Sequence, residues 1–218
     1  MSSATITTSV RLMNSTPQTE EQAMVRKVAV SSFLGNFIEW FDYASYSYFA
    51  TTIALVFFPT DNHTVAMLQT FGVFALSFIL RPIGALFWGS YGDKKGRKAA
   101  LAHSIMFMSG ASFLIGCLPS YSVIGVGAPI LLLLLRMVQG FSASGEYAGA
   151  ATFLGEYAPT SKRGIYCSLI PASTAIGLLA GSTLATLMTA NMNSSAMVGW
   201  GWRVPFLLAG PLGLIVLY

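Results

Sequence analysis

Apolar residues run through this chain in long blocks separated by short polar stretches. A helix that crosses a bilayer needs roughly 20 mostly apolar residues, and the spacing of the blocks predicts six such spans. Span 1 covers Val28 to Phe58 and ends at Pro59 and Asp61. Span 2 covers Val65 to Trp88, and span 3 covers Ala99 to Leu118, ahead of Pro119. Span 4 is long, from Val123 to Tyr157, and stops at Pro159. Span 5 covers Gly164 to Ala190, and span 6 begins at Val204 and is still apolar at Tyr218. With about 15 residues, span 6 is short for a hydrocarbon core about 30 Å thick, so a truncated product or a fragment is expected. Residues 1–27 are polar and rich in Ser and Thr. They lack the apolar core and cleavage site of a secretory signal. They read as a flexible cytoplasmic tail with room for a short helix over Glu20 to Lys27, leaving 28–218 as an all-α, six-helix transmembrane bundle.

Composition supports this class. The chain is 54% hydrophobic and 9% charged, whereas soluble domains carry about 25% charged residues. The basic residues are confined to alternate loops. Arg26 and Lys27 precede span 1; Lys94, Lys95, Arg97 and Lys98 lie between spans 2 and 3; Lys162 and Arg163 lie between spans 4 and 5. The other loops hold no Lys or Arg until Arg203, at the lip of span 6. That alternation follows the positive-inside rule with a cytoplasmic N-terminus. A net charge of +4 without a basic, aromatic-threaded stripe argues against nucleic acid as a partner. Cys117 and Cys167 both lie in apolar runs, without disulfide or metal-ligand spacing. His63 and His103 have no constellation around them, so neither a metal nor an enzymatic site is expected.

The informative residues are ionisable groups inside spans, which are costly there and usually face protein interior or water. Glu39 and Asp42 lie in span 1, three apart and so on one helical face. Arg81 lies in span 2, Arg136 and Glu146 in span 4, and Glu156 closes span 4. Arg136 and Glu146 are ten residues apart, about 15 Å along a helix, so each needs a partner on another helix. Three acids stand against two arginines. A carboxylate short of a partner in a low-dielectric site can carry a proton near neutral pH. The alternative is that these charges only pair to lock helices together. Gly145 and Gly149, and Gly177 and Gly181, are four apart, a spacing that lets helix backbones approach. Pro82 and Pro171 are candidate bends. The aromatic series from Trp40 to Phe49 circles span 1, part of it cavity lining and most of it packing.

Several stretches carry a resemblance. GSYGDKKGRK, Gly89 to Lys98, is similar to the loop between helices 2 and 3 of the major facilitator superfamily, matched by Gly89, Asp93, Gly96, Arg97 and Lys98. RMVQG resembles the superfamily's Arg-x-x-Gln-Gly element, carried by Arg136, Gln139 and Gly140. GNFIEWFDY, RPIGALFWGSYGD, QGFSASGEYAGAATFLGEYAP with KRG, and GWGWRVPF resemble the metabolite–proton symporters, which carry proline, betaine, α-ketoglutarate, shikimate and citrate. The stretch from Pro119 to Ser142 looks closest to the proline/betaine members. Ala143 and Ser144 depart from the glycine pairs of many relatives.

The resemblance implies twelve helices in two six-helix bundles rocking about a central site, of which this chain is the N-terminal half. A second half is expected from the remainder of the gene. It implies proton-coupled symport of a small zwitterion or organic acid across the bacterial cytoplasmic membrane, with the proton as coupling ion, no cofactor, and lipid and a small molecule as partners. Glu39, Asp42 and Glu146 are the proton-handling candidates. Arg81, Arg136 and Gln139 are candidates for pairing with them or with substrate. Asp93, Arg97, Glu156 and Arg163 form an expected gating cluster in which Arg97 pairs with Glu156. The reading of another class is an inert or non-transporting membrane component.

Overall fold

The computed structural model of the chain describes residues 16–217, with side chains for 24–145, 149–152 and 154–215. The helices are α1 (Thr16–Tyr48), α2 (Ala50–Phe57), α3 (His63–Ile79), α4 (Arg81–Lys95), α5 (Arg97–Cys117) and α6 (Tyr121–Ile124). They continue with α7 (Gly127–Ala143), α8 (Glu146–Tyr157), α9 (Arg163–Asn191) and α10 (Ser194–Ala196). A π-turn at Met197–Gly201 then leads into α11 (Arg203–Leu217).

Local chemistry accounts for the breaks. Asn62 starts α3 by accepting from the backbone N–H groups of Thr64 at 3.0 Å and Val65 at 3.3 Å, as a capping residue does. Span 2 divides at Leu80 because Pro82, in the first turn of α4, has no N–H to continue the ladder and is tolerated only near a helix start. Gly96 joins α4 to α5 with φ at +93°, a conformation open to glycine and strained for other residues. Pro171 sits inside α9 without ending it. Span 1 turns at Phe49, and span 4 breaks at Ser144 and Gly145, so both are helix pairs where the hydrophobic pattern predicts single helices.

The first helix starts earlier than its polarity implies. Residues 16–27, read as the end of a tail with room for a short helix over Glu20 to Lys27, are helical from Thr16 and continuous with span 1. Val25, Val28 and Ala29 are buried against Ala150, Leu154 and Ala158 near the end of span 4 and Ile170 of α9. Three apolar side chains at spacings of three and four make one stripe that neighbouring helices cover. The remainder of the tail, residues 1–15, lies outside the described residues.

Among the described residues, four helical stretches are long and apolar enough to cross a membrane: His63–Lys95, Arg97–Cys117, Arg163–Asn191 and Ser194–Ile215. The two spans outside this set are those that hold the buried charges. The α1 helix carries Ser32, Asn36, Glu39, Asp42 and Ser45 in the interior, and the shorter apolar α7 carries Arg136 and Gln139.

In the bundle α1 packs along α9, α11 along α5, and α7 against both α3 and α5. At one end, Ile53, Val56, Phe57, Leu132, Trp202 and Phe206 form the largest apolar cluster. The other end gathers the start of α1, the end of α8 and the start of α9. Gly177 and Gly181 fit the α1–α9 seam; a Cβ on Gly177 would stand 2.7 Å from the Phe37 carbonyl oxygen, and one on Gly181 2.7 Å from Ala44 Cβ. Asn36 crosses the same seam, its amide facing Ser173 Oγ at 2.8 Å, Thr174 Oγ1 at 2.8 Å and the Ile170 carbonyl at 3.1 Å. Gly145 meets Trp88, whereas Gly149 meets nothing within 4 Å, so only one of that pair serves close packing.

Candidate functional site

The polar residues of α1 and α7 converge. Asp42 and Arg136 form an ion pair between the two helices, Nη1 to Oδ2 at 2.5 Å, with side chains 4% and 1% exposed. Two more donors complete the carboxylate. Ser112 of α5 donates to Oδ1 at 3.0 Å, and Gln139 donates to the same oxygen at 3.1 Å. Gln139 also donates to Ser112 Oγ at 2.5 Å. Arg136 lies over the Tyr46 ring at 3.8 Å and stands 5.7 Å from the rings of Phe74 and Phe206. Tyr46 in turn donates to the Thr70 carbonyl at 2.9 Å. Asp42 of α1 is thus held by two other helices, α5 and α7, and its cation is boxed in by aromatic faces. Arg136 Nε and Nη2 and Gln139 Oε1 are buried without hydrogen-bond partners among the described residues.

One turn earlier on α1 lies a second pair. Arg81 of α4 donates to Glu39 Oε1 and to Tyr43 Oη. The Arg81 guanidinium stands 4.7 Å from the Phe78 ring and 5.4 Å from that of Tyr43. Glu39 is 4% exposed but Arg81 is 31% exposed, so this pair opens to the surface on its cationic side and the Asp42 pair does not. Glu39 and Asp42 share a helix face as their spacing implies. Each nevertheless has its own arginine.

These are the two ion pairs among the described residues. Glu146 begins α8, and its side chain, expected in the proton pathway, lies outside the described residues. Ser112, Tyr43 and Tyr46 are partners that the charge pattern alone does not single out. Tyr43 and Tyr46 belong to the aromatic series of span 1. Ser112 is one of three buried serines on α5, with Ser104 and Ser109, and nothing in its local pattern distinguishes it.

Part of the expected gating set comes together. Gly89, Asp93, Arg97 and Lys98 line a cavity of about 230 Å³ that also reaches Val28 and Gly149. Gly96 turns the chain between them. Arg97 does not pair with Glu156: both are exposed, and no ion pair joins them among the described residues. Arg97 instead occupies the first position of α5 at the cavity wall, and Arg163 begins α9, also exposed. Among the described residues no three His, Cys, Asp or Glu side chains gather as metal ligands.

The family described as "Sugar (and other) transporter" matches residues 27–218. The glycine betaine/proline/ectoine/pipecolic acid transporter OusA of Dickeya dadantii (strain 3937) is 43% identical over 198 residues, covering 91% of this chain and 40% of that protein. The proline/betaine transporter of Salmonella typhimurium is 42% identical over the same length and coverage. A putative proline/betaine transporter of Staphylococcus aureus is 43% identical over 194 residues, 88% of this chain and 42% of its own. The chain therefore spans about two fifths of the length of the curated relatives it matches. Among solved structures, the proton:xylose symporter XylE bound to 6-bromo-6-deoxy-D-glucose superposes with a TM-score of 0.76 at 19% identity, over 90% of this chain and 44% of that one. The inward-open xylose transporter of E. coli gives 0.70 at 18% identity, over 88% and 47%. At that identity the likeness establishes the fold.

Proposed function

The chain belongs to the sugar (and other) transporter family of the major facilitator superfamily, and on that premise we propose that it forms the N-terminal bundle of a proton-coupled carrier. The substrate class is a small zwitterion or organic acid, proline and glycine betaine first, because the relatives named above are transporters of those solutes. The membrane is the bacterial cytoplasmic membrane, with the N-terminus and the basic loops on the cytoplasmic side. A second six-helix bundle completes the passage. The proton is the coupling ion, and neither a cofactor nor an enzymatic step is required.

The observation that carries this reading is the buried Asp42–Arg136 pair joining α1 to α7. Protonating Asp42 removes one charge of the pair. The remaining guanidinium is then a buried cation without a counter-ion, a costly state that a substrate carboxylate or a helix movement relieves. A proton and an anionic group thereby favour one another's presence, as coupled binding requires. The Glu39–Arg81 pair, open on its arginine side, offers a second carboxylate-binding cation nearer the surface. Glu146, at the start of α8, is the third acid assigned to the proton pathway. At the cytoplasmic end Gly89, Asp93, Gly96, Arg97 and Lys98, with Glu156 and Arg163, act as the gate against the second bundle.

The test is uptake of labelled proline, glycine betaine or α-ketoglutarate by cells expressing the full gene product, with and without a proton gradient. Uptake that stops when the gradient collapses supports symport. Uptake indifferent to that collapse rejects it.

A further inference from the structure

Two groups at Asp42 have a geometry that ion pairing does not explain. Gln139 presents its amide nitrogen to both Ser112 Oγ and Asp42 Oδ1, while Ser112 donates to the same Oδ1. An ionised carboxylate only accepts, so this amide orientation belongs to charged Asp42. It leaves Gln139 Oε1 turned away, buried and without a partner, on a residue 3% exposed. An idle acceptor sits at one end of an amide whose other end holds the carboxylate.

We propose that Ser112 and Gln139 are positioning residues that read the protonation state of Asp42: both donate to its carboxylate, and the Gln139 amide turns to accept from its neutral acid. The inference rests on proton-coupled symport as the function of the site. When hydronium delivers a proton to Oδ1 and departs as water, the new O–H needs an acceptor. A half-turn of the Gln139 amide brings Oε1 to it. The two lone pairs of Oε1 then accept from the Asp42 O–H and the Ser112 O–H together. The proton stays on Asp42, Ser112 keeps its own, and no other covalent bond changes. The change passes to α5 through Ser112 and to α7 through Gln139, so three helices register one proton.

Among the described residues, the charged and titratable surroundings of Asp42 are few; α8, packed on α1, begins with Glu146, whose side chain lies outside the described residues, and carries the exposed Glu156 near its end. Arg136 faces it from α7. Glu39 and Tyr46, on α1 itself, are close enough to feel its charge, and Arg81 of α4 is engaged with Glu39 and Tyr43. On α5, His103 and Cys117 are exposed, and His103 is bonded to the Ala99 carbonyl. From α11, Arg203 donates to the carbonyls of Gly116 and Leu118. On α9 the titratable groups, Arg163, Tyr166 and Cys167, lie in its first turns at the basic end.

The experiment is the pH profile of labelled glycine betaine uptake, or labelled proline uptake, by the whole carrier in proteoliposomes. Removing a donor to a carboxylate favours the neutral acid, so the proton binds at higher pH. Ser112→Ala should move the half-maximal pH upward by about one unit, the size of one hydrogen bond to a charged group. Ser112→Thr, which keeps the hydroxyl, should retain the wild-type profile. Uptake that is slower at every pH with an unmoved midpoint would show a merely structural role and overturn the proposal. If wild-type uptake ignores the proton gradient, symport itself fails, a distinct outcome. A second measurement needs no transport: the infrared carboxylic C=O band that appears at low pH and is lost in Asp42→Asn should shift in Ser112→Ala. An unshifted band overturns the proposal.

Discussion

The guanidinium carbon of Arg136 lies 3.8 Å from the centroid of the Tyr46 ring, and both side chains are fully buried. Tyr46 is held by its bond to the Thr70 carbonyl on α3, so α3 fixes the ring, the ring places the arginine, and the arginine places Asp42. A desolvated cation over an aromatic face gains about 2 kcal/mol. That is less than the cost of burying the charge, which leaves the carboxylate as the indispensable partner.

Tyr46→Phe keeps the aromatic face and loses one buried hydrogen bond, at about 1 kcal/mol. Tyr46→Leu loses the face as well and leaves space beside Arg136, so its loss is expected to be larger. Thermal unfolding of the purified protein in detergent should rank wild type, Phe and Leu in that order. Equal midpoints for Phe and Leu would show that the ring does not support the arginine.

Asp42→Asn leaves a buried arginine without a counter-charge and should destabilise by about 3–5 kcal/mol. Adding Arg136→Met removes the orphaned cation and should recover much of the unfolding temperature while proton-driven uptake stays lost. A double variant no more stable than the single one would mean that the charge imbalance is not the source of the loss.

Glu39→Gln should destabilise less, by about 1 kcal/mol, because Arg81 is 31% exposed and keeps part of its hydration. Comparing unfolding midpoints of the two acid-to-amide variants tests this ranking. The two pairs would be equivalent if both variants fell by the same amount.

At the basic end, Gly96→Ala and Gly89→Ala separate backbone strain from packing. Neither Cβ would touch anything within 4 Å. Gly96 has φ at +93°, and an alanine there is strained by about 1–3 kcal/mol. Gly89 is inside α4, where alanine gains about 1 kcal/mol in helix propensity. Unfolding midpoints that move in opposite directions are the expected result.

Asp93→Asn should impair uptake with membrane insertion intact, since Asp93 is exposed at the cavity rim. Insertion is read by membrane fractionation and function by the initial uptake rate. Full transport by this variant would remove Asp93 from the gate.

The sites differ in how far they could be read beforehand. Glu39, Asp42, Arg81 and Arg136 stand out because a charge in an apolar block is costly wherever it lies. Ser112 does not, because a serine in a membrane helix is inexpensive and common. The Arg97–Glu156 pair expected from the resemblance is not among the ion pairs of the described residues, where both side chains are exposed. The helical start at Thr16 was hidden by polar residues around the buried Val25.

The six apolar blocks, the basic loops and the identities of the intramembrane charges were determined by the sequence alone, because hydropathy and charge are properties of each residue and its near neighbours. Which acid meets which arginine was decided only by the tertiary structure. Glu39 and Arg81 are 42 positions apart, and Asp42 and Arg136 are 94 apart. Only packing, with Gly177 and Gly181 setting α1 against α9 and α7 wedged between α3 and α5, brings such distant groups within hydrogen-bond reach.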